Sequence, residues 1–87
     1  MFDIAIVDDE FIFLKQFKDN LNEFFSNCDY RLDLFQSSED FLNQSHNYDF
    51  VFLDIDMPNI DGITLAKKRV VHHISEKIVF VTNKERS

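Results

Sequence analysis

The sequence predicts an α/β fold in which four parallel strands alternate with three helices in the order βαβαβαβ. Short apolar runs of strand length recur along the chain, and segments with apolar residues at helical spacing separate them. The chain has 87 residues, of which 45% are hydrophobic, and this suffices for one small domain with a core. The predicted strands are residues 2–7, 30–35, 50–54 and 77–82.

The first strand is continuously apolar over residues 4–7 and is followed by Asp8 and Asp9. A helix is predicted over residues 12–26, because apolar side chains recur there at steps of three and four and form one stripe. We expect this stripe to belong to the core. Its members are Phe11, Leu14, Phe17, Leu21, Phe24 and Phe25.

The second strand alternates apolar and polar residues, which is typical of a half-buried edge strand. Ser37 is followed three residues later by Asp40, a spacing that resembles a capping box with Asp in place of Glu. A short helix is therefore predicted over residues 38–44.

The third strand is β-branched and aromatic, which predicts burial on both faces, and it ends at Asp54. Pro58 cannot donate a hydrogen bond to a central strand, so the strand is expected to end before it. Asp61 and Gly62 then predict a turn, with Asp61 as the N-terminal cap of the next helix.

The third helix is predicted over residues 63–71, with the basic residues 67–69 on its solvated face. His72 and His73 follow as a solvated helix end without a convincing metal-ligand spacing. The fourth strand is apolar and ends at Thr82.

Composition excludes several classes of function. The net charge of −7 disfavours direct binding to nucleic acids or anionic membranes, which needs a basic surface. No window approaches the ~20 apolar residues of a membrane span. The single cysteine, Cys28, excludes an internal disulfide and favours a cytoplasmic location.

Side chains that can carry chemistry follow three of the predicted strands. Asp8 and Asp9 follow the first strand, Asp54 and Asp56 lie at the end of the third, and Thr82 ends the fourth. The carboxyl ends of parallel strands meet at one edge of the sheet, so these groups are expected to share a site. Clustered carboxylates repel one another unless a cation neutralises them, and oxygen-only ligands favour Mg²⁺. An ionised aspartate beside Mg²⁺ could attack a phosphoryl group.

Together with residues 57–62, MPNIDG, this set resembles the receiver domain of two-component response regulators over nearly the whole chain. The resemblance implies a flavodoxin-like (CheY-like) doubly wound sheet and a role in phosphorelay signal transduction and control of transcription. It implies a phosphoacceptor rather than an enzyme with turnover, in the cytoplasm, with a histidine kinase as the phosphodonor. The stretches LDIDMPNIDG and VFVTNKER are most similar to receivers of the LytTR type.

The resemblance also implies a role for each site residue. Asp54 would accept the phosphoryl group and, with Asp9, would bind Mg²⁺ directly. Asp8 would act on the metal mainly through water, and Asp56 would offer its backbone carbonyl. Thr82 would hydrogen-bond a phosphoryl oxygen and act as the switch.

The chain departs from that family after the fourth strand. Residues 1–87 are expected to form a partial receiver without the fourth helix, the fifth strand and the fifth helix, and without the lysine that the family places at the end of strand five. In the family's strand order, the fourth strand would then be an apolar edge, and such an edge can pair with another chain. We therefore expect self-association through the fourth-strand side.

Two alternatives remain open at this point. Asp54 and Asp56 also resemble the nucleophile and the general acid/base of haloacid-dehalogenase-type phosphatases, although Met57 and Pro58 do not fit the usual continuation. The chain could instead be an interaction module that is not phosphorylated. For Asp8 and Asp9 alone, capping of the first helix is a further alternative.

Overall fold

The computed structural model of the chain describes residues 1–57 and 60–81. The elements follow the predicted order, with bounds at β1 (Phe2–Val7), α1 (Phe11–Phe24), β2 (Tyr30–Phe35), α2 (Ser38–Leu42), β3 (Phe50–Asp54), α3 (Gly62–Val70) and β4 (Lys77–Val81). The strands form one parallel sheet in the order β2–β1–β3–β4. The predicted fold class is confirmed.

Side chains alternate between the two faces of the sheet, and each face has its own core. The face under α2 and α3 carries the larger buried cluster, which consists of Ala5, Val7, Phe41, Tyr48, Val51, Leu53 and Leu65. The face under α1 carries Ile4, Ile6, Leu14 and Leu21. Strand β1 contributes to both clusters, so the sheet is covered by helices on both faces, as parallel sheets are.

The helix caps agree in part with the sequence analysis. The Ser37 side chain accepts a hydrogen bond from the Asp40 backbone N–H at 3.3 Å, and the Asp61 side chain accepts one from Thr64 at 2.8 Å. Both predicted caps are therefore confirmed. The cap position of α1 is Glu10, whose side chain makes no capping bond, so capping by Asp8 or Asp9 is wrong.

The prediction that the whole stripe of α1 belongs to the core is wrong at its two ends. Leu14 and Leu21 are buried and Phe17 packs against the same cluster, whereas Phe11 is 61% exposed and Phe24 is 81% exposed. These two phenylalanines are the first and last residues of the helix. Helical spacing identifies a face, but the core covers only the middle of this face.

The prediction of a solvated basic face over residues 67–69 is wrong for Arg69. This side chain is 1% exposed and forms an ion pair with the Glu76 carboxylate, which is fully buried. Arg69 Nε and Nη2 donate to Glu76 Oε1 and Oε2, both at 2.8 Å. Arg69 lies four residues after the buried Leu65, so the period of the helix directs it inwards.

The remaining donors of Arg69 hold the loop between α2 and β3. The guanidinium donates to the backbone carbonyls of Phe41, Gln44 and His46 at 3.2, 2.6 and 2.7 Å, and it lies 4.3 Å from the centroid of the Phe41 ring. Glu76 Oε2 also accepts a hydrogen bond from the Tyr48 backbone N–H at 2.9 Å. The pair therefore joins α3, the loop before β3 and the residue before β4.

The Asp61 cap predicts a pH dependence of stability. Hydrogen bonds from Thr64 hold the pKa of Asp61 below its usual value in the folded chain. A lowered folded pKa means that the stabilisation is complete above the unfolded pKa and is lost as the pH falls through the folded one. We expect Asp61→Ala to lower the urea midpoint at pH 7, and the gap to wild type to shrink below about pH 4.

Asp61→Asn is the matched control for that experiment, because asparagine caps a helix without titrating. Urea unfolding followed by circular dichroism between pH 7 and pH 3 measures the three midpoints. A gap between wild type and Asp61→Ala that stays constant over this range would contradict the assignment.

Candidate functional site

Three carboxylates meet at the edge of the sheet where β1 and β3 end. One carboxylate oxygen from each of Asp8, Asp9 and Asp54 lies within 4.8 Å of the others. Asp54 is 3% exposed and Asp8 is 9% exposed, while Asp9 is half-buried. The cluster is therefore open to solvent mainly on the side of Asp9.

Strand register brings these residues together. β1 and β3 are parallel neighbours, and Val7 lies opposite Leu53. The next residues along the two strands are Asp8 and Asp54, so adjacent strands place the two acids side by side. This is the edge at which open parallel sheets bind ligands.

Backbone groups hold the acids in place. The Asp8 backbone N–H donates to the Phe35 carbonyl at the end of β2, and an Asp8 carboxylate oxygen accepts a hydrogen bond from the Glu10 N–H at 2.9 Å. An Asp54 carboxylate oxygen accepts from the Asp56 N–H at 3.3 Å.

Gly62 allows the segment after Asp54 to turn back closely. A Cβ atom at this position would lie 2.3 Å from the Asp54 carbonyl oxygen and 3.0 Å from the Ile55 Cα. The Gly62 N–H also donates to the Ile55 carbonyl at 3.0 Å. The first residue of α3 therefore packs directly against the end of β3, where a larger residue would displace Asp54.

Ser38 joins α2 to the same loop. Its side chain is buried, and its hydroxyl donates to the Ile60 carbonyl at 3.0 Å and contacts Met57 Sδ at 3.8 Å. Met57 and Ile60 pack against the larger core cluster. The loop after Asp54 is thus held at both of its described ends.

The structure places the predicted site residues in three groups. Asp8, Asp9 and Asp54 form the cluster. Asp56 is exposed, and its N–H contacts Asp54 as described above. Thr82 lies outside the described residues, so its predicted role stays a prediction.

Sequence reasoning missed the two residues that support the site. It treated Gly62 only as part of a turn. Most residues are tolerated in the first turn of a helix, so a glycine at this position was a signal that another segment packs closely against it. Ser38 carried no signal, because its hydrogen bond is to a backbone carbonyl 22 residues away.

The donor set of the cluster fits a hard divalent cation. All three groups offer carboxylate oxygens, and Mg²⁺ binds proteins through one or two carboxylates while it keeps several waters. Three carboxylates at this distance repel one another, and a divalent cation would offset that repulsion.

A cleft of about 430 Å³ lies along β2, away from the acidic cluster, and is lined by Arg31, Asp33, Leu34, Phe35, Gln44 and His46. Its charged groups pair within the chain. Arg31 forms ion pairs with Asp3 and Asp33, and His46 contacts Asp3 at 3.0 Å. Hydrogen bonding to His46 is the main cause that lowers the pKa of Asp3. We assign no ligand to this cleft.

Within the described residues, no helix combines the length and the apolar composition that a bilayer-spanning segment needs.

Comparison with known proteins relates the chain to one family. The model of the response regulator receiver domain matches residues 4–87. No curated protein shows significant sequence similarity to the chain.

Solved structures give the same result. The chain is similar to the response regulator TrrA from Thermotoga maritima in complex with Mg²⁺ and BeF, with 34% identity over 94% of this chain and 70% of that chain and a TM-score of 0.82. It is also similar to the BeF₃-activated receiver domain of DrrB, with 26% identity over 98% of this chain and 71% of that chain and a TM-score of 0.80. The receiver domain of AraT from Geobacillus stearothermophilus is 26% identical over 97% of this chain and 66% of that chain, with a TM-score of 0.77. None of these matches supports the predicted LytTR type.

Proposed function

Because this chain belongs to the response regulator receiver domain family, we propose that it accepts a phosphoryl group on Asp54 from a histidine kinase. The observation that carries the proposal is the cluster of Asp8, Asp9 and Asp54 at the edge of the sheet. The chain spans about 70% of the length of the first two related structures, and we propose that residues 1–87 form a receiver from its first to its fourth strand.

The proposed reaction is an attack by an Asp54 carboxylate oxygen on the phosphorus of a phosphohistidine. The new bond joins that oxygen to phosphorus, the bond from phosphorus to the imidazole nitrogen breaks, and the nitrogen keeps the electron pair and takes a proton. The product is an aspartyl phosphate. Burial of Asp54 and the hydrogen bond from the Asp56 N–H fix the attacking group.

Asp9 and Asp54 would hold Mg²⁺ directly, Asp8 would bind it mainly through water, and Asp56 would add its backbone carbonyl. The cation would supply positive charge at the transferring phosphoryl oxygens. TrrA, the related structure described above, was solved with Mg²⁺ and BeF, which supports this part of the proposal. We propose that Thr82 binds a phosphoryl oxygen, and that the domain works in the cytoplasm, where the exposed thiol of Cys28 stays reduced.

Labelling with acetyl phosphate and Mg²⁺ tests the proposal. The phosphoryl group would leave acetate and join Asp54, so intact mass spectrometry should show about one added group per wild-type chain. Asp54→Asn should take up none. Asp19→Asn, which removes an exposed carboxylate on α1, is the matched control and should be labelled like wild type.

Two other outcomes would contradict the proposal. A folded wild-type chain that takes no label would favour an interaction module. Continuous turnover of a generic phosphomonoester that depends on Asp54 and Asp56 would favour the phosphatase alternative.

A further inference from the structure

The loop between β3 and α3 begins directly after Asp54, and backbone hydrogen bonds close its base. The Ile55 N–H donates to the Val81 carbonyl at 3.3 Å, and the Gly62 N–H donates to the Ile55 carbonyl at 3.0 Å. These bonds fix where the loop leaves β3 and where it enters α3. They do not reach its outer part, which lies between Ile55 and Gly62.

The side chain of Ser38, the first residue of α2, contacts this outer part at two points. Its hydroxyl donates to the Ile60 carbonyl at 3.0 Å, and its Oγ lies 3.8 Å from Met57 Sδ. Ser38 is 7% exposed, and Met57 and Ile60 pack against the larger core cluster. Such a buried hydroxyl ties two segments together, because its removal leaves the carbonyl of the other segment without that donor.

We propose that Ser38 is a positioning residue of the phosphorylation site, and that its hydroxyl holds the loop after Asp54 so that the Asp56 backbone carbonyl can bind the cation. This role rests on the proposed function, in which Asp56 offers that carbonyl to Mg²⁺. It gives α2 a part in a site whose three acids all follow or end β1 and β3.

The Asp56 carbonyl belongs to the peptide group that joins Asp56 to Met57. A peptide group is planar, so the direction of its carbonyl depends on how both flanking residues are held. The Asp56 N–H donates to an Asp54 carboxylate oxygen at 3.3 Å, which holds one side. Contacts with Ser38 and with the core hold Met57 on the other side.

Mg²⁺ is sensitive to small shifts of its ligands, because it demands near-octahedral geometry with ligand distances of about 2.0–2.1 Å. Residues that orient metal ligands without touching the metal typically lower metal affinity by roughly 10–100-fold when they are replaced. Ser38 acts on the Asp56 carbonyl through the residues beside it, which favours the lower end of that range. We therefore expect Ser38→Ala to raise the dissociation constant of Mg²⁺ about tenfold.

Ser37 offers the matched control, because it is the neighbouring serine and its hydroxyl bonds within its own helix. It accepts a hydrogen bond from the Asp40 N–H at 3.3 Å and caps α2. Ser37→Ala removes a cap and Ser38→Ala removes a buried hydrogen bond, so both substitutions lower the stability of the same helix. Only Ser38→Ala releases the loop after Asp54.

Titration with MgCl₂, followed by the amide signals in NMR spectra, measures the dissociation constants directly. Urea unfolding first establishes that each variant is folded under the conditions of the titration. We expect one dissociation constant for wild type and Ser37→Ala, and a value about tenfold higher for Ser38→Ala. Ser38→Cys, which is similar in size and keeps a weak S–H donor, should lie between them.

Labelling with acetyl phosphate gives a second readout that a purely structural role would not change. We expect Ser38→Ala to need about tenfold more Mg²⁺ for half-maximal labelling. Its rate should approach that of wild type when Mg²⁺ is saturating, because the attacking Asp54 carboxylate is still present. A variant that is merely less stable would keep the wild-type dependence on Mg²⁺.

Equal dissociation constants for Ser38→Ala and Ser37→Ala would overturn this role, since a loss shared by both would follow the stability of α2. If wild type is labelled on Asp54 and Ser38→Ala binds Mg²⁺ as tightly as wild type, the proposed function stands and the role of Ser38 fails alone. If a folded wild type neither binds Mg²⁺ nor takes label, the proposed function fails and the role of Ser38 fails with it.

Discussion

Replacing Arg69 with alanine is expected to remove a large part of the stability of this fold. The substitution leaves the Glu76 carboxylate buried without its ion-pair partner, and it also removes the donor to three backbone carbonyls. Breaking a buried ion pair from one side lowers the free energy of unfolding by about 3–5 kcal/mol. A domain of this length has only about 4–13 kcal/mol in total. The variant should therefore unfold at a much lower urea concentration than wild type.

Urea unfolding followed by circular dichroism measures this effect. Lys68→Ala is the matched control, because Lys68 is an exposed basic residue next to Arg69 on the same helix, and its loss should change the free energy by less than about 0.5 kcal/mol. Arg69→Lys keeps the charge but not the planar guanidinium, so its free energy of unfolding should lie between those of Arg69→Ala and Lys68→Ala. If the free energies of unfolding of Arg69→Ala and Lys68→Ala differed by less than about 1 kcal/mol, the pair would not hold the loop.

The second large effect is expected at Gly62. In an ordinary helix, Gly→Ala stabilises by about 1 kcal/mol, because alanine has the higher helix propensity. Here the new Cβ would lie 2.3 Å from the Asp54 carbonyl oxygen, and the contact is with backbone, which cannot rotate away. Relief requires α3 and the end of β3 to separate by roughly 1 Å. We expect a net loss of about 1–3 kcal/mol and impaired labelling of Asp54, because the attacking carboxylate moves with its backbone.

Two measurements separate these effects. Urea unfolding gives the change in stability, and labelling by acetyl phosphate under conditions where the variant is folded gives the change at the site. Ile63→Ala, at the next and half-exposed position, is the matched control, and it should be labelled at the wild-type rate. A Gly62→Ala chain that is more stable than wild type would show that the close approach imposes no strain.

The order of elements and the location of the acids could be predicted from the sequence because both follow from local patterns. A run such as residues 50–54 is apolar at every position, which is the pattern of a strand buried on both faces. Asp8 and Asp54 each end such a run, and parallel strands then bring them to one edge. The capping roles of Ser37 and Asp61 were equally local, since each bonds to a backbone N–H three residues away.

Burial could not be predicted where it depends on distant parts of the chain. Arg69 was assigned to solvent with its two lysine neighbours, although the spacing from Leu65 directs it to the core. Its burial is possible only because Glu76 and the carbonyls of the loop before β3 satisfy every charge and donor there. Phe11 and Phe24 show the converse, since helical spacing placed them on the apolar face but both are exposed, at the two ends of α1.

The sequence by itself determined the fold class, the order of the strands along the chain and the three acids of the site, because period, residue type and strand ends are local properties. Only the tertiary structure decided that Gly62 must stay small and that Arg69 and Glu76 form a buried pair. Each of these depends on how closely separate elements approach one another, since Gly62 of α3 meets the end of β3 and Arg69 meets the loop before β3. Such distances are set by how the two cores pack against the sheet.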